Sequence, residues 1–206
     1  MKKDTLILHP TDKGACAFYR CNFMADILRS SKGGEVNVVV ADDTVTDGKT
    51  LSRTAAVVIF RPLTGTHEDM LRYYKRQRGK FGYKVFADYD DLIFAIDGKS
   101  PIPEYNCSKI DAFKAREFIA RNLSNVDGIT VSTRYLRNAF EVSFGFRNVT
   151  VVPNAVPKYL FGQERRAPVK EDITKPVVLY AGSLTHFSGE NPRSRSEERF
   201  SRNAET

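Results

Sequence analysis

Three aspartates stand close together in the middle of the chain and are the strongest candidates for chemistry. Asp88, Asp90 and Asp91 follow the short apolar run 85–87 and precede a second apolar run at 92–94. A run of this length predicts a buried parallel strand, and open α/β sheets form their ligand crevices where such strands end. Carboxylates are costly to bury. They are therefore either held at the strand end for a function, or they act there as solvated and helix-capping groups.

Alternating strand and helix patterns predict the frame that positions these acids. The predicted strands are 5–8, 36–40, 55–60, 85–87, 128–131 and 149–152. The predicted helices are 16–29, 67–78 with a stop near Gly79, one from Ser108 to about 123, and one from Ser132-Thr133 to 144. This alternation indicates a parallel sheet with crossover helices, that is, a doubly wound, Rossmann-like α/β domain of about 155 residues.

The composition changes after this domain. Residues 1–157 form the predicted Rossmann-like domain, 158–175 a charged linker, and 176–187 the first strand and turn of an incomplete second domain. Residues 188–206 are poor in apolar side chains and rich in Ser, Arg and Glu, so we expect this tail to be disordered.

Overall composition excludes several classes of protein. With 41% hydrophobic and 28% charged residues, the 206-residue chain is typical of globular proteins. No apolar run is long enough to span a bilayer, and the N-terminus has too few apolar residues for a secretory signal. Scattered cysteines and histidines give no metal-ligand spacing, so we expect a cytoplasmic protein without a metal. A single glycine in the loop after the first strand argues against an NAD-type dehydrogenase.

Four segments, in order, resemble the two-domain GT-B glycosyltransferases, and among them a bacterial and phage subgroup of the retaining family 4. The segments are 14–20 (GACAFYR), 88–94 (DYDDLIF), 151–156 (VVPNAV) and 179–186 (LYAGSLTH). They are similar to the family's small-residue loop with Tyr-Arg, its Asp-Asp-Leu stretch, its Val-Ile-Pro-Asn-Gly-Val crossing, and its Gly-Ser-x-Thr-His opening of the donor domain. The resemblance covers about residues 5–187.

The resemblance implies transfer of a sugar from a nucleotide-diphosphate sugar to an unknown acceptor, in the cleft between two domains and without a cofactor. It implies catalytic contacts to acceptor hydroxyls for Asp88 and Asp91. The implied substrate-binding residues of the first domain are Gly14, Tyr19, Arg20, Arg61 and Asn154. The implied donor-phosphate residues are Gly182, Ser183, Thr185 and His186. Backbone amides at small-residue turns and cationic side chains can stabilise a leaving diphosphate.

Structural roles compete with these assignments. Tyr19 would otherwise pack under its helix, and Arg20 would lie on the surface. Asn154 is predicted to fix the crossover backbone through an Asx-type hydrogen bond. His9 and His67 are expected to be structural or surface residues, and the structural interpretation is also favoured for His186.

Other functions stay open beside an intact transferase. The family's donor-site glutamates have no counterpart after Phe187, so we expect a truncated enzyme with little or no transfer by this chain alone. Alternatively, the chain is half of a split transferase that a separately encoded donor domain completes. It could also be a non-catalytic Rossmann-like module for an anionic polymer such as nucleic acid, because the net charge is +7 and arises largely from 72–84 and the last twenty residues. For 72–84 a solvated basic helix face is the favoured interpretation.

Overall fold

The computed structural model describes residues 3–30, 36–94 and 112–155, and the structural statements below concern these residues. Six strands form one sheet with the order β2-β1-β3-β4-β5-β6, and every neighbouring pair is parallel. They are β1 (Thr5–His9), β2 (Asn37–Val40), β3 (Thr54–Phe60), β4 (Lys84–Tyr89), β5 (Gly128–Val131) and β6 (Val149–Val151). The predicted doubly wound, Rossmann-like α/β class is confirmed.

Helices connect the strands on both faces of the sheet. The first is composite and consists of α1 (Ala15–Ala17), a π-helical turn (Phe18–Asn22) and α2 (Phe23–Ser30). The others are α3 (Gly48–Arg53), α4 (Gly65–Phe81), α5 (Ala112–Leu123) and α6 (Arg134–Phe144). The chain runs from β1 outward to β2 and then returns past β1 to form β3, so its direction of travel reverses between β1 and β3. Such a reversal leaves a ligand crevice at the carboxyl ends of the two strands.

The two faces of the sheet bury separate cores. On one face, Leu8, Val38 and Phe60 pack with the buried side chains of the composite helix. The other face carries the larger core, which includes Ile7, Ile59, Leu71, Tyr74, Val85, Ala87, Tyr89, Ile129 and Phe140. Successive strand residues point to opposite faces. Asp88 is aligned with Phe60 across β3 and β4, and it therefore points toward the composite helix.

The structure corrects the predicted end of one helix and adds a short helix that the sequence analysis did not predict. Helix α4 does not stop near Gly79 but ends at Gly82, which has a φ of 71° and donates its N–H to the carbonyl oxygen of Arg78 at 2.7 Å. A left-handed residue ends a helix efficiently, and glycine adopts that conformation without a Cβ clash. Helix α3 is too short to show hydrophobic periodicity. It begins at Asp47, whose carboxylate accepts hydrogen bonds from the N–H groups of Lys49 and Thr50.

The central strand is longer than its apolar run predicts. Strand β4 extends to Tyr89, so Asp88 lies within the strand, whereas Asp90 and Asp91 follow it. The predicted helix start at Ser108 and all predictions for residues 156–206 lie outside the described residues. In the ranges that the structure describes, the helices are too short or too polar to cross a membrane.

Candidate functional site

The guanidinium of Arg20 is the centre of the candidate site. Its Nε donates to Asp88 Oδ2 at 2.8 Å, and its Nη2 bonds Asp88 Oδ1, so the ion pair is bidentate. The two side chains are 4% and 5% exposed. Nη1 donates to the carbonyl oxygen of Val152 at 2.5 Å and to Asn154 Oδ1 at 3.2 Å. One buried side chain therefore joins the composite helix, strand β4 and the segment that follows β6.

The π-helical turn directs Arg20 toward the sheet. Within it the N–H of Phe23 bonds the carbonyl oxygen of Phe18, five residues back. The wider turn places both Arg20 and Cys21 in buried positions, and such turns are frequent at functional sites. Desolvation opposes the charge of Arg20, but the hydrogen bonds and the charge of Asp88 outweigh it and raise the Arg20 pKa. The guanidinium is therefore held as a permanent cation.

The carboxylate of Asp88 is saturated with donors. Besides the two bonds from Arg20, Thr130 Oγ1 donates to Asp88 Oδ1 at 2.5 Å, from the aligned position on β5. Asp88 is 3% exposed. A buried carboxylate that already accepts three hydrogen bonds is suited to positioning Arg20 and Thr130 rather than to accepting a proton from a substrate. The catalytic role that the sequence predicts for Asp88 stays a prediction, and its observed contacts are with Arg20 and Thr130.

Arg61 holds the other two aspartates of the cluster. Its Nε donates to Asp90 Oδ1 at 2.6 Å, and its Nη2 bonds Asp91 Oδ2. Among the described residues it is the one non-glycine residue with positive φ, at 41°. Its own N–H donates to the carbonyl oxygen of Asp88 at 2.8 Å. A non-glycine residue in this region costs about 1–3 kcal/mol, and such strain concentrates at functional sites.

Asp91 is the accessible member of the acidic cluster. Its side chain is 46% exposed, against 5% for Asp90. Cys16 Sγ and one oxygen from each of these two carboxylates lie within 4.8 Å of one another. The Arg61 guanidinium already bonds both carboxylates and offsets part of their negative charge, so the arrangement gives no argument for a metal ion. Burial raises the pKa of Cys16 to about 11, and its thiol is therefore neutral beside the acids.

Two other predicted substrate contacts have local partners. The N–H of Gly14 donates to Asp12 Oδ1 at 2.7 Å, and a Cβ on Gly14 would lie only 2.9 Å from that oxygen. The amide that the resemblance assigns to substrate is therefore engaged by a neighbouring side chain. Tyr19 packs edge-on against Phe18 and Phe23. The predicted donor-side residues Gly182, Ser183, Thr185 and His186 lie outside the described residues.

Several contacts in the site have no signal in the sequence. Thr130 reaches Asp88 only because β4 and β5 are aligned at that position. Ser132 Oγ donates to the carbonyl oxygen of Asp90 at 2.9 Å and steadies the loop after β4. Asn154, for which the sequence predicts an Asx-type bond to its own segment, accepts instead from Arg20. These contacts follow from strand register and from a buried arginine, neither of which residue type or spacing reveals.

Three of the six cationic residues in the basic segment 72–84 have acidic partners in the structure. Arg72 pairs with Glu68 on the same helix. Arg78 Nη1 lies 2.7 Å from Asp127 Oδ1, and Lys84 Nζ lies 3.9 Å from the same oxygen. These pairs reduce the positive field that this segment presents to an anionic polymer.

Neither a protein-family model, nor a curated protein, nor a solved structure matches this chain. The functional interpretation therefore depends on the residues and on their geometry.

Proposed function

We propose that this chain provides the acceptor side of a glycosyltransferase that uses a nucleotide-diphosphate sugar as donor. One observation supports the proposal above the others. Three of the four segments that resemble the family, 14–20, 88–94 and 151–156, meet at Arg20, although its partners Asp88 and Asn154 lie 68 and 134 residues away in the chain. The parallel sheet brings all three segments to one edge, but it does not by itself require them to contact one buried side chain.

The contacts divide the acidic cluster into two roles. Asp91 is half exposed at the carboxyl edge of the sheet, where it can accept a hydrogen bond from an acceptor hydroxyl and orient that hydroxyl for attack. Arg61 Nη2 bonds Oδ2 of Asp91 and so fixes the position of that carboxylate. Asp88 holds Arg20 and, through it, the carbonyl of Val152. Charge on the leaving diphosphate would be stabilised by N–H groups and cations of the donor side.

The test is a single-turnover assay with the full chain in excess over the donor. Labelled nucleotide-diphosphate sugars are incubated with a panel of glycoside and cyclitol acceptors, and mass spectrometry detects both the free nucleoside diphosphate and the glycosylated product. We expect slow, acceptor-dependent transfer from one donor. Absence of product from every donor and acceptor pair, with folded protein, would contradict transfer by this chain alone. If none of the acceptors bound the chain either, the result would count against the acceptor-side assignment and favour another kind of binding module.

A variant pair makes the assay specific for the site. Asp91→Asn keeps the side-chain size and removes the proposed proton acceptor, so transfer should fall by about 100-fold or more. Asp69→Asn is the matched control, because Asp69 is 78% exposed on α4 and takes no part in the acidic cluster. Equal rates for the two variants would show that Asp91 has no role in the chemistry.

A further inference from the structure

A cavity of about 340 Å³ lies at the point where the chain reverses between β1 and β3. It adjoins Arg61, whose carbonyl oxygen accepts a hydrogen bond from the lining residue Thr11 at 3.5 Å. It is lined by the end of β1, by the loop after β1, by Asp42 after β2, and by the first turns of α4. The lining residues are His9, Pro10, Thr11, Asp12, Lys13, Asp42, His67 and Met70. This volume falls within the range of small-molecule pockets, about 300–1,000 Å³.

His9 is a fixed part of the cavity wall rather than a ligand-binding group. The carbonyl oxygen of Ala41 can only accept, so His9 Nδ1 carries the proton and donates to it at 2.7 Å. His9 Nε2 therefore accepts from the hydroxyl of Tyr74 at 2.8 Å, and that hydroxyl accepts from the N–H of Val45, also at 2.8 Å. Burial lowers the pKa of His9 to about 4. Both ring nitrogens are used, and the ring is neutral.

His67, by contrast, offers a free donor. Its Nδ1 accepts the N–H of Leu63 at 3.3 Å, and this fixes the proton of the neutral ring on Nε2. Burial lowers the pKa of His67 and keeps the ring neutral. Nε2–H has no hydrogen-bond partner among the described residues. It is therefore a donor that a ligand in the cavity can satisfy.

The remaining polar groups of the lining supply both acceptors and donors. Asp12 uses only Oδ1, for the N–H of Gly14. Within the described part of the chain, Asp42 and Lys13 have no ion-pair or hydrogen-bond partner. Two carboxylates against one ammonium leave a net negative lining in a chain whose net charge is +7. Met70 adds an apolar patch to the wall.

We propose that this cavity binds an uncharged polyhydroxyl ring, a hexose or a cyclitol without phosphate. Each hydroxyl both donates and accepts, which matches a lining that mixes free carboxylate oxygens with the His67 N–H and the Lys13 ammonium. Met70 and Pro10 can cover the C–H face of the ring. A phosphate on the ring would face the excess carboxylates and be repelled. The identity of this ring as the sugar acceptor rests on the proposed function, but its binding does not.

The test is ¹H–¹⁵N chemical-shift perturbation of the full chain, with no nucleotide sugar present. The probes are glucose, galactose, mannose and myo-inositol, each beside its phosphorylated form. We expect one unphosphorylated ring to bind with a Kd of about 1–10 mM and to shift amides in 9–13, 42–43 and 63–70. Its phosphate should bind about tenfold more weakly. Absence of binding by all four rings, shifts confined to other surfaces, or tighter binding of the phosphate would overturn the proposal.

Three variants sharpen the result. His67→Ala removes the free donor and should weaken ring binding about tenfold, whereas His67→Gln retains an N–H donor and should recover part of it. Asp42→Asn removes one negative charge and should reduce the difference in affinity between the unphosphorylated and the phosphorylated ring. Asp69→Asn, exposed on α4, should change neither affinity. Unchanged binding in His67→Ala would contradict the assignment of the donor.

The outcome is separable from that of the transfer assay. Ring binding at the cavity without glycosyl transfer would support the binding site and give no support to transfer by this chain alone. Glycosyl transfer without ring binding at this cavity would support the proposed transferase function and show that its acceptor binds elsewhere.

Discussion

Removal of the Arg20 side chain should destabilise the domain more than removal of any surface ion pair. In Arg20→Met, the Asp88 carboxylate stays buried and loses its cation, and the Val152 carbonyl loses a donor at 2.5 Å. Breaking a buried pair from one side costs about 3–5 kcal/mol. This is a large part of the 5–15 kcal/mol that holds a typical domain together. It corresponds to a fall in Tm of about 6–20 °C.

Urea unfolding followed by far-UV circular dichroism measures this loss, and two further variants test its cause. Arg53→Met removes an exposed pair with Asp4, whose Nη2–Oδ2 distance is 2.7 Å, and should destabilise the domain far less than Arg20→Met. The double variant Arg20→Met with Asp88→Asn should be more stable than Arg20→Met alone, because no unpaired charge is left buried. The reasoning would be refuted if Arg20→Met lost no more free energy of unfolding than Arg53→Met. It would also be refuted if the double variant were less stable than Arg20→Met alone.

Three other predictions follow from local features. Between pH 7 and pH 5, the free energy of unfolding should fall by about 2 kcal/mol more in the unmodified protein than in His9→Asn. Burial lowers the His9 pKa from 6.5 to about 4, so the unfolded chain takes up the proton first as the pH falls. Urea titrations that gave the same pH dependence of stability for both proteins would contradict this. Gly82→Ala should destabilise the protein by about 1 kcal/mol, because Gly82 has a φ of 71°. Gly79→Ala should stabilise it by about 0.5–1 kcal/mol, because Gly79 lies inside α4 and a Cβ there meets open space. A higher urea midpoint for Gly82→Ala than for Gly79→Ala would contradict the assignment of Gly82 as the residue that ends α4. The pKa of about 11 for Cys16 predicts alkylation by iodoacetamide at pH 8 about 100-fold slower in the native protein than in urea, as read by peptide mass spectrometry. Similar rates would argue against a neutral thiol at this half-buried position.

Strands and long helices are predictable here because burial imposes their periodicity. All six predicted strands exist, and their bounds differ from the prediction by only a few residues. Helix ends depend on single conformations instead. Two glycines near the end of α4 look alike in sequence, and only the left-handed φ of Gly82 identifies the one that ends the helix. The short helix α3 depends on one capping aspartate, Asp47, and carries no periodic pattern.

The candidate site is predictable in its acids but not in their pairing. Asp88, Asp90 and Asp91 stand out because carboxylates beside a buried apolar strand are costly to remove from water. The division between a saturated Asp88 and an accessible Asp91 requires strand register and the approach of Arg20 from another segment. His67 has no sequence signal as a binding group, because its free Nε2–H is apparent only once the Leu63 N–H is placed on Nδ1.

The π-helical turn makes chain length itself a constraint on the first helix. A π turn holds one residue more than an α-helical turn, so deletion of a single residue between Phe18 and Asn22 would let regular α-helical hydrogen bonding resume. The wider turn accommodates its extra residue within about one turn, so the helix on each side of the deletion would keep its face toward the sheet. Ala25 would stay buried against the sheet, whereas Arg20 would lose the wider turn that directs it to Asp88. Related sequences with a one-residue gap at this turn should accordingly keep the helix and lose the Arg20–Asp88 pair.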